Sequence, residues 1–166
     1  MNMNRSTLAA LAAAACALAF AGSAIAHENH DAKKPAAAVK KEQKPWGIAG
    51  DAKTAKRTIE IAMTDDMRFT PSNIEVKQGE TVKFVLRNKG KVLHEMVIGD
   101  KKTLDEHAAL MVKFPGMEHD EPYMAHVPPG KTERLVWQFT KPGEFYYGCL
   151  IPGHFEAGMI GKVVVK

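Results

Sequence analysis

An all-β sandwich interrupted by one inserted helix and loop is the fold class predicted for this 166-residue chain. Three observations predict it. From Arg57 onward apolar residues alternate with period two over short runs, turn residues separate those runs, and one stretch between them changes to helical spacing.

In chain order, residues 1–26 read as a secretory signal. Arg5 supplies the positive charge, Leu8 to Phe20 the apolar segment and Ala24-Ile25-Ala26 the small-residue cleavage site, so the mature chain is expected to begin at His27. The apolar run is shorter than the roughly 20 residues a spanning helix needs and polar sequence follows it at once, which argues against stable membrane insertion. Residues 27–56 are rich in Lys, Ala and Pro and poor in large apolar side chains, as in a flexible arm that cannot bury a core. Trp46-Gly47-Ile48 is the arm's one apolar spot, able to dock on the domain.

The domain is expected over residues 57–166. Ile59, Ile61 and Met63 alternate with polar neighbours, and Ile74 and Val76 repeat the pattern after Pro71. Past the Gln78-Gly79 turn come Val82, Phe84 and Leu86, then a second turn over Asn88 to Lys91 and a strand over Leu93 to Ile98 with His94, Met96 and Ile98 on one face. Thr103-Leu-Asp-Glu106 reads as a capping box, followed at helical spacing by Leu104, Ala108, Met111 and Val112 until Phe114-Pro115-Gly116 stops the run. This insertion spans about residues 101–127. Leu135, Trp137 and Phe139 resume the strand pattern, Phe145, Tyr147 and Cys149 share the face of the next strand, and Val163 to Val165 close the chain.

Charge excludes one class of function. The arm carries seven Lys against four acidic residues, whereas the domain balances fifteen basic against fifteen acidic side chains. A nucleic-acid binder needs a basic folded face, and none is visible.

The chemistry concentrates in Cys149-Leu-Ile-Pro-Gly-His154-Phe-Glu-Ala-Gly-Met159, a thiol, an imidazole and a thioether at five-residue steps. Once the signal is removed Cys149 is the sole cysteine, so no internal disulfide can form and a metal is the natural occupant of the thiolate. With His94 brought in by a sheet, the set becomes two imidazoles and a thiolate in a plane with a weak axial thioether. That is the ligand set of an electron-transfer copper centre, soft enough for Cu(I) and compatible with Cu(II). Pro152 and the glycines at 148, 153 and 158 let the loop turn tightly around one ion.

On these residues the chain resembles the cupredoxin family, the type 1 copper proteins that include azurin, plastocyanin and auracyanin. The match rests on Tyr147-Gly-Cys149-x4-His154-x4-Met159 with His94 upstream. Met63-Thr-Asp-Asp-Met-Arg-Phe-Thr-Pro71, His94-Glu-Met96 and Phe114-Pro-Gly-Met-Glu-His-Asp120 are similar to the periplasmic copper-tolerance cupredoxins of the CopI type. The resemblance implies a Greek-key β-sandwich, a periplasmic location, one blue or green type 1 copper and a part in copper tolerance. Oxidation of Cu(I) through the centre of one cysteine, two histidines and one methionine is the enzymatic activity it suggests. Where many cupredoxins have Asn after the first His ligand, this chain has Glu95, so colour and potential do not transfer.

Additional copper has two candidate places. His27, with a free α-amine after cleavage, and His30 can chelate Cu(II). Met117, His119, Met124 and His126 in the insertion can make a Cu(I) site. The alternative function is a soluble monomeric electron carrier with a transient redox protein partner, docking through Ile151, Pro152 and Phe155 around His154. Multicopper oxidases and nitrite reductases build further sites with His-x-His pairs, which the chain lacks. A Cys-His hydrolase would leave His94 and Met159 without a task.

Overall fold

The computed structural model describes residues 41–117 and 119–166. The expected signal peptide and the candidate ligands His27 and His30 lie outside the described residues. Among the described residues, ten strands form two five-stranded sheets. The first runs β1 (Ile48–Ala49), β8 (Thr132–Gln138), β5 (Thr81–Asn88), β2 (Arg57–Thr64) and β3 (Arg68–Thr70) from edge to edge. The second runs β4 (Asn73–Val76), β10 (Ile160–Val165), β9 (Gly143–Gly148), β6 (His94–Gly99) and β7 (Met124–Val127). Strand β2 pairs with β5 in parallel, as β10 does with β4, and the remaining ladders are antiparallel.

The period-two residues meet between the sheets. Ile61, Met63, Val82, Phe84, Leu86 and Trp137 from the first sheet pack into one core with Met96, Ile98, Phe145, Tyr147 and Val163 from the second. Each large apolar side chain taken from water here contributes about 1.5–3 kcal/mol. Gly161 in β10 is required by that packing, because a Cβ there would lie 2.1 Å from the Tyr147 ring.

All six residues of β6 are buried. Its inner face carries His94, Met96 and Ile98, while Val97 faces outward into a second cluster with Leu104, Ala108, Met111, Met124 and Leu150. Helix α1 (Lys101–Lys113) supplies the cover on that side. It starts earlier than the Thr103 capping box predicted, since the Asp100 side chain accepts from the Thr103 backbone N–H at 2.8 Å. A carboxylate at this position satisfies a donor that no helical turn can reach. The helix ends at Phe114, ahead of Pro115.

Two boundaries need correction. Part of the stretch expected as a flexible arm over 27–56 belongs to the sandwich: β1 pairs with Gln138 and Trp137 of β8, and Trp46 is buried. Trp137 Nε1 donates to the Trp46 carbonyl at 3.0 Å, and the Trp46 ring meets Tyr123 edge-on at 5.6 Å. Gly47, at φ 137°, permits this approach, because a Cβ would fall 2.2 Å from the Gln138 carbonyl. The end of the insertion expected over 101–127 is likewise a strand, β7, hydrogen-bonded to β6.

Candidate metal centre

Strand β6 opens on His94, and β9 runs antiparallel beside it with Val97 opposite Gly148. The residue following β9, Cys149, is thereby carried to the start of β6. The Glu95 backbone N–H donates to Cys149 Sγ at 3.4 Å, and the Leu150 N–H donates to Glu95 Oε1 at 2.8 Å. Glu95 thus joins the two ligand segments through both its backbone and its side chain.

The loop from Cys149 to Met159 is closed by its own backbone. His154 N–H donates to the Ile151 carbonyl at 2.9 Å, Met159 N–H to the His154 carbonyl at 3.0 Å and Cys149 N–H to the Met159 carbonyl at 3.1 Å. Gly153 and Gly158 take the left-handed turns at φ 87° and 89°. This winding directs His154 back to the cysteine, leaving its Nδ1 3.2 Å from Cys149 Sγ. The His94 and His154 rings lie 5.0 Å apart.

Among the described residues, His94, Cys149 and His154 form a group whose donor atoms all lie within 4.8 Å of one another. Met159 is fully buried in the same core as Cys149. Buried His94 Nδ1 has no hydrogen-bond partner, while its Nε2 lies 3.2 Å from Asp65 Oδ1. Donation of Nε2–H to that carboxylate leaves the Nδ1 lone pair free, as a metal ligand requires.

Electrostatics fit a cation in the same place. Burial pushes the Cys149 thiol up to about 12, so only a bound positive charge makes it a thiolate near neutrality. Burial and the neighbouring His94 lower the His154 pKa, favouring the neutral imidazole. Two imidazoles with buried sulfur suit copper and not an oxygen-seeking cation such as calcium or magnesium.

Comparison with known proteins agrees with this reading of the site. Residues 55–166 match the model of the copper-binding proteins of the plastocyanin/azurin family. The chain belongs to that family. A copper-resistant cuproprotein CopI of Rubrivivax gelatinosus is 44% identical over 163 residues, covering 98% of this chain and 99% of the relative. The CopI protein of Pseudomonas aeruginosa is 37% identical over 150 residues, covering 73% and 82%. These matches make the chain a CopI-type cupredoxin. Dithionite-reduced auracyanin of Roseiflexus castenholzii shares the fold, with a TM-score of 0.58 at 21% identity, covering 68% of this chain and 98% of the auracyanin.

Two residues beyond the motif shape this cupredoxin's centre. Asp65, in the turn after β2, accepts from the Lys91 N–H at 2.7 Å as well as holding His94. Buried Asn88 donates to the Val92 and Val127 carbonyls at 2.7 and 2.8 Å and accepts from the Gly90 N–H at 2.8 Å, fixing the loop that enters β6. In sequence Asn88 reads as the start of a turn, and Asp65 lies within the Met63–Pro71 stretch without a role of its own.

The second candidate set divides. Met117, His119 and His126 line a groove beside His154, whereas Met124 turns into the cluster beneath α1 and serves as core. Among the described residues, no helix is long and apolar enough to cross a membrane.

Proposed function

We propose that this chain is a periplasmic copper-tolerance protein that binds one type 1 copper through His94, Cys149, His154 and Met159 and oxidises Cu(I) to Cu(II). The observation that carries the reading is the unpartnered Nδ1 of fully buried His94, grouped with Cys149 and His154. Support also comes from relatives named as copper-resistant cuproproteins, one of them aligned over 98% of the chain.

A bound ion would supply a one-electron couple. Asp65 orients His94 through Nε2, Cys149 gives up its thiol proton on binding, and the backbone bonds across the ligand loop hold His154 and Met159 in place. Rigid placement keeps the rearrangement small when the charge of the ion changes. The electron released by Cu(I) passes to a soluble redox protein acting as one-electron acceptor.

The visible spectrum and metal count of copper-loaded protein test the centre, with an intense sulfur-to-copper band and loss of that band in Cys149→Ser expected. Loaded wild type without the band would end the proposal. Consumption of Cu(I) with a one-electron acceptor tests the activity, which is rejected if Cys149→Ser consumes it as fast as wild type. His27 and His30 are proposed as a separate Cu(II) chelate, abandoned if removal of residues 27–31 leaves copper stoichiometry unchanged.

One observation favours a second reading, a monomeric electron carrier. Val92 and Leu93 are exposed large apolar residues, and they line the same groove as Ile151, Pro152 and His154. Such a rim suits brief docking of a redox partner. A deletion strain that loses respiratory electron flow yet tolerates copper would select this reading over the first.

A further inference from the structure

We propose that Arg68 is a positioning residue of the metal centre, latching the ligand loop at Ala157 from the turn between β2 and β3 and thereby fixing how closely Met159 approaches the ion. The inference rests on the type 1 reading for the identity of that ion and deepens it.

Asp65 is not the only residue of the Met63–Pro71 stretch that reaches the site. Thr64 of β2 pairs with Arg68 of β3, and the Met67 N–H donates to the Thr64 carbonyl at 3.0 Å, closing a tight turn between the two strands. Met67 sits inside it at φ 60°, and among the described residues it is the one non-glycine with a left-handed backbone. A residue carrying a Cβ rarely adopts that conformation. It persists only where surrounding contacts hold it, and Arg68 supplies one of them. Arg68 Nη1 donates to the Met67 carbonyl at 2.7 Å and to the Ala157 carbonyl at 2.9 Å, the second bond spanning 89 positions of sequence. That nitrogen carries two hydrogens, so it serves both acceptors at once.

Ala157 is a sensitive place to hold the loop. Gly158 follows it at φ 89°, and a Cβ there would lie 3.6 Å from Arg68 Nη1, so the guanidinium rests against the loop at ordinary contact distance. Met159 comes next and is fully buried. The backbone bonds that close the loop join its own residues to one another. Arg68 instead ties the Met159 end to the first sheet, where β3 lies, while the loop itself connects β9 and β10 of the second. Asp65, three residues earlier in the same turn, holds His94 Nε2 at 3.2 Å. One turn therefore grips both ligand-bearing segments, β6 through a carboxylate and the loop through a guanidinium.

An axial thioether is a weak, long ligand, so the protein and not the bond sets its distance, and that distance tunes a type 1 ion. Ala157 is only two residues from Met159, too few to absorb a displacement of the backbone. Both Arg68 side-chain bonds go to carbonyls, so the latch acts on the path of the chain. Arg68 is itself exposed, which lets it be replaced without opening the core.

Arg68→Gln and Arg68→Lys in the full chain test the latch, with Arg87→Gln as a control that removes an exposed cation bonded to Glu60 in the same sheet. In metal-free protein, amide hydrogen exchange at Gly158 and Met159 should quicken by about tenfold in Arg68→Gln, while amides of β5 keep their rates. Arg68→Lys, still able to donate to Ala157, should fall between wild type and Arg68→Gln. Copper-loaded Arg68→Gln should keep the copper stoichiometry of wild type but change the relative intensities of its sulfur-to-copper bands, as a displaced axial ligand does. Arg87→Gln should match wild type in both measurements. Loop exchange unchanged in Arg68→Gln overturns the latch, and bands that stay fixed although the loop has loosened, or that change equally in Arg87→Gln, overturn its effect on the ion. Wild type that takes up copper without the intense band strikes the type 1 reading instead, and the exchange rates still decide whether Arg68 holds the loop.

Discussion

At the scale of single residues the site is governed by where protons sit. Cys149 is held neutral by burial, with its thiol near 12, so Cu(II) binding at pH 7 should release about one proton per ion. Calorimetry in buffers of different ionisation enthalpy measures this directly, and Cys149→Ser should lose it. Asp65 behaves in the opposite sense. Its carboxyl lies below the usual range, chiefly because the Lys91 N–H donates to it and further because it pairs with His94. A lowered folded pKa means stability present above the ordinary Asp value and lost as acid carries the pH down through the folded value. The urea midpoint of wild type should therefore approach that of Asp65→Asn as pH falls from about 5 to below 3. Asp65→Ala should also weaken copper binding by about 10- to 100-fold, because His94 loses the acceptor that sets its tautomer. Asp65 lies in a stretch quoted for its resemblance, but its role is not legible there because it depends on a contact across 29 positions.

Elements show which parts of the pattern carry information. Strands β2, β5, β8 and β9 were legible as period-two runs because each buries one face against the opposing sheet. Strand β7 was not. Met124, Ala125, His126 and Val127 gain strand geometry by pairing with β6, and an edge strand beneath a helix need not alternate cleanly. Strand β1 has two residues and depends on Trp46 beside it. Trp46→Ala should cost about 3 kcal/mol or more in urea unfolding, since a buried aromatic anchored against Tyr123 is removed, while the copper band stays in place. Gly161→Ala should destabilise by about 1–3 kcal/mol, because the added methyl meets the Tyr147 ring within the core.

For the whole molecule, the candidate donors are held by one sheet, on β6 and the loop between β9 and β10, before any ion arrives. Binding should leave the backbone largely unchanged while raising stability through mass action. At free copper about a thousandfold above Kd the gain is about 4 kcal/mol, readable as a higher melting temperature that chelation reverses. A large change in circular dichroism on loading would contradict a preformed site.

Sequence alone determined which side chains are the candidate copper ligands of this protein. The Cys149, His154 and Met159 spacing lies within one loop, so turn residues and ligand types could be read together, and alternation from Arg57 onward predicted the sandwich that brings His94 to them. Only the tertiary structure decided what surrounds those ligands. Asp65, Asn88 and Glu95 act through hydrogen bonds between segments far apart in the chain, and burial leaves His94 Nδ1 without a hydrogen-bond partner. Ligand identity is a property of side chains, whereas orientation and desolvation are properties of the neighbours that folding supplies.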